Sequence, residues 1–266
     1  MGFTSQLYPG ELVIEGTTPE TVTNAPAGFS TGLKLGMRTT PYGQMYGTEA
    51  FPQGLVIPRS EWQARIQEME ERKSRISDIS LQAGLPCKDQ NGTNYCWINA
   101  PTHCVEILRV MQNQPMVILS PASAGAQIKQ GQNVGGWGEE GLRWIVDHGL
   151  APVAQWPANQ ISNWQSLAQQ TKTISLDYRV TEWWELQPRN LDQLISCLLL
   201  RIPVAVGYNW WSHEVTACDP VWLNGQAAIR IRNSWSMTWG EQGFSVLTGS
   251  RALPDDAVAP RVAVAA

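Results

Sequence analysis

Cys96 is followed at once by Trp97 and preceded six positions earlier by Gln90, within the stretch PCKDQNGTNYCWINA of residues 86–100. Beyond it Cys104, Val105, Ile107 and Leu108 have helical spacing, so the order of residues predicts a loop that delivers a thiol to the first turn of a helix. At that position unpaired backbone N–H groups and the positive end of the helix dipole favour thiolate over thiol. A thiolate there is a nucleophile, and the amide of Gln90 together with the N–H of Cys96 would donate to an oxyanion formed on attack at a carbonyl. Taken alone, Cys-Trp equally describes a small buried hydrophobe, and the chemical reading requires a distant histidine.

The chain has three histidines. His103 lies seven residues beyond Cys96 on the same expected helix, about 10 Å along the axis, too far for a hydrogen bond. His148 stands in the last turn of an expected helix ahead of Gly149, where a cation suits the dipole. His213 remains, in NWWSHEVTACD, at the start of an expected strand in the second half of the chain. Twenty residues later comes Asn233, whose side-chain oxygen would orient an imidazole, with Trp235 close by to shield that bond from water.

These groups need elements to hold them. Residues 1–58 are rich in Gly, Pro and Thr and read as an extended arm with turns. From Arg59 to Ser80 the spacing of Trp62, Ile66, Met69, Ile76 and Ile79 predicts a helix with Ser60 as N-cap and its charges on a solvated face. After the Cys96 helix, residues 115–138 read as a short apolar run and then a glycine-dense turn. A helix is expected from Glu139 to His148, closed by Gly149. Residues 150–170 read as loop with helix near Trp164 to Gln170, followed by a short strand from Thr173 to Val180. Asn190 caps the helix LDQLISCLLL, and strands follow at 204–208, 214–218, 227–232 and 243–247. Helices therefore precede strands, which predicts an α+β fold of two lobes with a cleft between them. The expected organisation is an arm and helix over residues 1–80, a main domain over 81–252 and a tail over 253–266.

Composition narrows the function. The 266 residues are 43% hydrophobic and 16% charged with a net charge of −4, which provides no basic surface for nucleic acid. No segment is long enough to span a bilayer, and the first residues lack the cationic start and apolar run of a signal peptide. The five cysteines have neither the pairing of a disulfide framework nor the spacing of a zinc site, so no metal and no cofactor are expected, and a reducing, cytoplasmic setting is. The thirteen tryptophans are read as core and groove packing.

Taken together, the blocks resemble the papain family of cysteine peptidases over about residues 83–250. Gln90 to Trp97 is similar to the opening of that family's mature enzymes. Leu119-Ser120 followed by Val134-Gly135-Gly136-Trp137 resembles its substrate-backbone glycine segment. Pro203-Val204-Ala205-Val206 resembles the strand leading to its histidine, and Asn233-Ser234-Trp235 with Trp239-Gly240-Glu241 and Gly243 resembles its Asn-Ser-Trp block. The resemblance implies a papain-like two-lobed fold and hydrolysis of peptide bonds in a polypeptide substrate through a thioester. By it Cys96 is the nucleophile, His213 the general base and then acid, Asn233 the orienting group, and Gln90 part of the oxyanion hole. Gly135 and Gly136 would bind substrate backbone, while Trp137, Glu214 and Trp235 would flank the pockets.

Several positions depart from the family. Its disulfide beside the site would fall on Thr93 and Asn133. Pro101 stands inside the nucleophile helix, and Glu214 replaces a small residue, where it would select a basic side chain, bind the imidazolium, or simply be solvated. Two glycines of the Asn-Ser-Trp block become Ser236 and Thr238. Residues 1–80 take the place of a prosegment, yet Glu61, Arg65, Glu68 and Arg72 do not reproduce the spacing of one. The alternative expectation is therefore a structural or assembly subunit, for example in a virion, with residues 1–58 and the C-terminal tail held by protein neighbours. An amidase or peptidoglycan-cleaving relative would share Cys and His without needing the Asn-Ser-Trp block.

Overall fold

The computed structural model describes residues 2–33 and 49–264. One mixed sheet of eight strands carries the second half of the chain, in the order β1-β7-β6-β5-β4-β8-β3-β2. In sequence these are β1 (Leu12–Ile14), β2 (Glu49–Ala50), β3 (Trp183–Glu185), β4 (Val204–Tyr208), β5 (His213–Leu223), β6 (Gln226–Arg232), β7 (Phe244–Leu247) and β8 (Asp256–Pro260). The helices are α1 (Glu20–Thr23), α2 (Arg59–Glu71), α3 (Ile76–Gln82), α4 (Cys96–Met111), α5 (Pro121–Ile128), α6 (Gly138–His148), α7 (Trp164–Ser175) and α8 (Leu191–Leu199).

Two hydrophobic clusters make the two lobes, and strand alternation divides the strands between them. On β4, Val204, Val206 and Tyr208 enter the cluster under α8 and α2, whereas Ala205 enters the cluster around α4. On β8, Ala257 and Ala259 face the first and Val258 the second. The central helix α4 is buried on every face from Cys96 to Arg109, as its apolar sequence requires. It remains one continuous helix across Pro101. Beside the proline, the Asn99 amide and Thr102 hydroxyl donate to the Tyr95 and Ile98 carbonyls at 2.8 and 2.7 Å.

Several elements differ from the expectation. The single helix over 59–80 is two, α2 and α3, broken where Lys73 adopts a positive φ of 49°. It starts after Pro58 with no side-chain cap, so Ser60 is not the N-cap. The charges are on the solvated face: Arg65 pairs with Glu61 and Arg72 with Glu68, all well exposed. The stretch read as loop and glycine turn contains α5, which Pro121 starts at its first position, the one helical site where a missing N–H costs nothing. The strand expected over 173–180 is the end of α7 and a 3₁₀ turn at Leu176–Tyr178. The sequence-based boundary at 253 is also corrected: β8 lies inside the sheet between β4 and β3, its five residues all buried, so the supposed tail is a structural strand.

The described part of the arm is likewise built into the fold, while residues 34–48 of the expected arm lie outside the described residues. β1 pairs in parallel with β7, and β2 with β3. Glu11 meets Arg230 of β6 at 2.6 Å with both side chains fully buried, and Tyr8 lies over the same guanidinium at 4.4 Å. Asp219 lies 3.5 Å from the same guanidinium, so removing Glu11 takes away the closer of two buried counter-charges and both of its hydrogen bonds. Glu11→Ala is therefore expected to cost about 3–5 kcal/mol of stability, read from urea unfolding midpoints.

Candidate active site

The loop before α4 is pinned on both sides. Lys88 forms a buried ion pair with Glu106 of α4 and donates to the Leu119 carbonyl at 2.8 Å, and the Arg232 guanidinium donates to the Leu85 carbonyl at 3.0 Å. The Gln90 backbone N–H donates to the Ser234 carbonyl at 2.9 Å, and the Ser234 hydroxyl donates to Gln90 Oε1 at 2.5 Å. With its oxygen held this way, the Gln90 amide has only Nε2 left to point into the cleft. In place of a disulfide, an amide ladder closes the neighbouring loops: the Asn94 N–H donates to Asn133 Oδ1 at 2.7 Å, and Asn133 Nδ2 to the Gly92 carbonyl at 3.1 Å. All five cysteines are free and buried.

Cys96 is the first residue of α4, facing the start of β5, where His213 begins the strand. His213 Nε2 lies 2.7 Å from Asn233 Oδ1, which also accepts the Ser234 N–H at 2.7 Å. That oxygen is thus an acceptor twice over, so Nε2 carries the ring proton and Nδ1 keeps a lone pair. Nδ1 has no hydrogen-bond partner among the described residues. Trp235 stacks on the imidazole at 4.4 Å and Trp211 meets its edge at 5.1 Å, which keeps water from the His213–Asn233 bond. His103 and His148 are elsewhere, the first buried on α4 and the second against Trp144 at 4.1 Å.

The cleft is filled by the chain's own arm. The Ser30 carbonyl accepts from Gln90 Nε2 at 2.7 Å and from Trp235 Nε1 at 3.3 Å. The Gly32 N–H donates to Cys96 Sγ at 3.2 Å, and the Gly32 carbonyl accepts from the Gly136 N–H at 3.0 Å. The Leu33 N–H donates to the Ser212 carbonyl at 3.3 Å, and Leu33 bridges Gly136 in parallel. Only glycine fits at position 32, since a Cβ there would lie 1.9 Å from the Asn94 carbonyl oxygen. What the arm donates to the sulfur is an N–H, and the carbonyl in the grip of Gln90 belongs to a residue two positions earlier. Open hollows of about 450 and 550 Å³ flank the segment at Thr31.

Burial sets the electrostatics. Cys96 and His213 are both 0% exposed. Burial first, and the charge of Glu214 second, push the Cys96 thiol up to about 12, while burial pushes the His213 imidazole down to about 4 against the opposing hydrogen bond that the ring donates to Asn233. Under the arm the two groups rest as neutral thiol and neutral imidazole.

No family model and no curated protein matches the chain. Solved structures do. Xylellain, a cysteine protease from Xylella fastidiosa, aligns over 88% of this chain and 97% of its own at 15% identity with a TM-score of 0.61. Digestive procathepsin L 3 of Tenebrio molitor larval midgut aligns over 66% of each chain at 19% identity and a TM-score of 0.58. The chain has the papain-like fold. The proform of Amb a 11, a ragweed pollen cysteine protease, shares the papain-like fold at 16% identity and a TM-score of 0.57, covering 74% of this chain and 65% of that one. The chain thus spans slightly less than two-thirds of both proenzymes.

Within this papain-like frame Cys96, Gln90, Gly135, Gly136 and Trp235 meet one short segment, while His213, paired with Asn233, follows Ser212, whose carbonyl the segment also uses. Trp137 follows Gly136 as the half-buried residue before α6. The expectation of a solvated Glu214 is corrected, because that residue is 1% exposed. Nor does its carboxylate bind the imidazole, since among the described residues neither Nδ1 of His213 nor either oxygen of Glu214 has a hydrogen-bond partner. The sequence reading missed Ser30, Gly32 and Leu33. Their signal is faint: Ser30, Thr31 and Gly32 are small enough to permit close approach, with nothing to say what they approach.

Proposed function

We propose that this chain is a cysteine peptidase, held latent by residues 30–33, that hydrolyses peptide bonds through Cys96, His213, Asn233 and Gln90. What supports the reading most is that a peptide already lies in the cleft, held by the groups that a substrate would use: the Gln90 amide, the Gly136 N–H and the Ser212 carbonyl. In the proposed reaction Sγ attacks the substrate carbonyl carbon while His213 Nδ1 takes the thiol proton. The oxyanion is held by Gln90 Nε2. Collapse breaks the C–N bond, the imidazolium gives its proton to the leaving amine, and a thioester remains on Cys96. Water, deprotonated by the same Nδ1, then releases the acid and regenerates the thiol. Asn233 keeps the ring in the tautomer that presents Nδ1, and the arm must leave before any of this begins. The cytoplasm is the proposed setting and a polypeptide the proposed substrate.

An epoxide-type thiol trap tests the reading. In the chain carrying Gly32→Val, which clears the segment from the cleft, adduct is expected on Cys96, identified by peptide mass mapping, ahead of the four other buried cysteines, and adding His213→Ala is expected to slow its formation about a hundredfold. Equal, sluggish labelling of all five cysteines, indifferent to His213, would sink the peptidase and leave a structural or assembly role.

A further inference from the structure

The pocket that holds Leu33 has walls without side chains and an unanswered charge. Its isobutyl group lies against Gly207 of β4, where a Cβ would stand 3.1 and 3.2 Å from the two leucine methyls and 3.3 Å from Cβ of Asp256. On the neighbouring strand Gly207 is in register with Glu214, so the two share one face of the sheet, the face toward the helical lobe. Glu214 extends from there toward the start of α6: a Cβ on Gly138 would lie 2.4 Å from its Oε1. The absence of side chains at 136, 138 and 207 thus leaves room in which an apolar group and a carboxylate sit side by side. Cross-strand neighbours are about 5 Å apart at Cα, which places the carboxylate within one long side chain of the leucine.

Neither oxygen of Glu214 has a hydrogen-bond partner among the described residues, although the residue is 1% exposed. Glu139 adds negative charge beside it. The nearby Lys129 is already committed to Glu140 at 2.6 Å and lies over the Trp97 ring at 4.9 Å. A buried carboxylate normally carries a partner, and its burial together with the charge of Glu139 holds this one well above the usual carboxylate range. Leucine fills the apolar part of the pocket and leaves the acid unsatisfied. A lysine or arginine has the same apolar stem and a cationic head roughly 3–4 Å further out, the kind of group this arrangement lacks.

We propose that the Leu33 pocket selects a lysine or arginine side chain in the substrate, with Glu214 as the counter-charge. The proposal rests on the peptidase reading, and Glu214 acts in it as a specificity residue, not a catalytic one.

The test uses the full chain carrying Gly32→Val to clear the cleft, and fluorogenic dipeptide amides that differ only in the residue entering this pocket: lysine, arginine, leucine, and norleucine as the neutral twin of lysine. Lysine and arginine substrates are expected to exceed norleucine at least tenfold in kcat/KM, and Glu214→Gln is expected to bring the lysine-to-norleucine ratio to one or below. The first comparison needs no further variant, so it stands even if Glu214→Gln misfolds. Leucine or norleucine equalling lysine, or a lysine preference that survives Glu214→Gln, overturns the proposal while leaving the peptidase intact. If no substrate turns over and Cys96 takes no epoxide, the peptidase reading fails instead. The pocket is then read by calorimetry with the same dipeptide amides on the Cys96→Ala, Gly32→Val chain, where tighter lysine binding supports the proposal and parity with norleucine overturns it.

Discussion

Gly32→Val is expected to raise the rate of epoxide labelling at Cys96 about a hundredfold or more over the unaltered chain. The arm is held across the cleft by backbone hydrogen bonds to Sγ, Gly136, Gln90 and Ser212 and by the buried Leu33. At about 1 kcal/mol per bond and about 2 kcal/mol for the side chain, less the ordering of the segment, the hold is a few kcal/mol. A valine cannot keep the segment in place, because its Cβ would meet the Asn94 carbonyl oxygen at 1.9 Å and the carbonyl carbon at 2.4 Å, backbone atoms that do not rotate away. Losing a hold of about 3 kcal/mol raises the open fraction by more than a factor of a hundred. Gly54→Val is the control. That glycine also belongs to the N-terminal region, but a Cβ there meets nothing within 4 Å, and its labelling rate should match the parent. Equal rates in Gly32→Val and parent would mean that the segment does not limit access to sulfur.

The sequence made the ends of this argument legible and hid its middle. The residues that meet in the cleft, Gln90, Cys96, His213 and Asn233, stand in blocks whose types and order can be read in one dimension, because each block is a local device: a loop before a helix, a strand start, a polar turn beside tryptophans. Strands β4 to β7 were legible for the same reason, each an apolar run bounded by turn residues. The elements misread depend on distant partners. α5 opens with Pro-Ala-Ser-Ala-Gly-Ala, small residues that carry no periodic signal and become a helix face only when Tyr95 and Ile98 pack on Gly125. β8 reads as a frayed Ala/Val tail until β4 and β3 take it between them. The arm segment is the extreme case: Ser30, Thr31, Gly32 and Leu33 have no pattern of their own, and what they do is decided by hydrogen-bond partners 60 to 205 residues away. Glu214 was half legible. Its charge beside the histidine was plain, while its direction, away from the imidazole and toward Gly138, follows from the absence of side chains at 138 and 207.

Epoxide labelling of Cys96 in the unaltered chain is expected to climb about tenfold for each pH unit between 6 and 9. Only thiolate attacks the epoxide, and a thiol held at about 12 is ionised to roughly one part in 10⁵ at pH 7, so every unit of pH multiplies the reactive fraction by ten. His213 does not bend this line. Its imidazole is pushed down to about 4 and remains neutral throughout the range, donating no proton that could convert thiol to an ion pair. Once the arm is displaced, the largest cause of both shifts, burial, is removed: the thiol falls toward or below the ordinary value of about 8.5 and the imidazole rises toward 6.5. The two can then exchange a proton, thiolate is present at neutral pH, and the labelling profile of Gly32→Val should flatten above about pH 7 instead of climbing. The two profiles would draw closer as pH rises but stay apart at pH 9, where a thiol held at about 12 is still ionised to only about one part in 10³, and they would diverge most at pH 6. A parent profile already flat from 6 to 9 would show that a thiolate and imidazolium pair exists beneath the arm. Latency would then be a matter of blocked access alone, with no contribution from the protonation state of the sulfur.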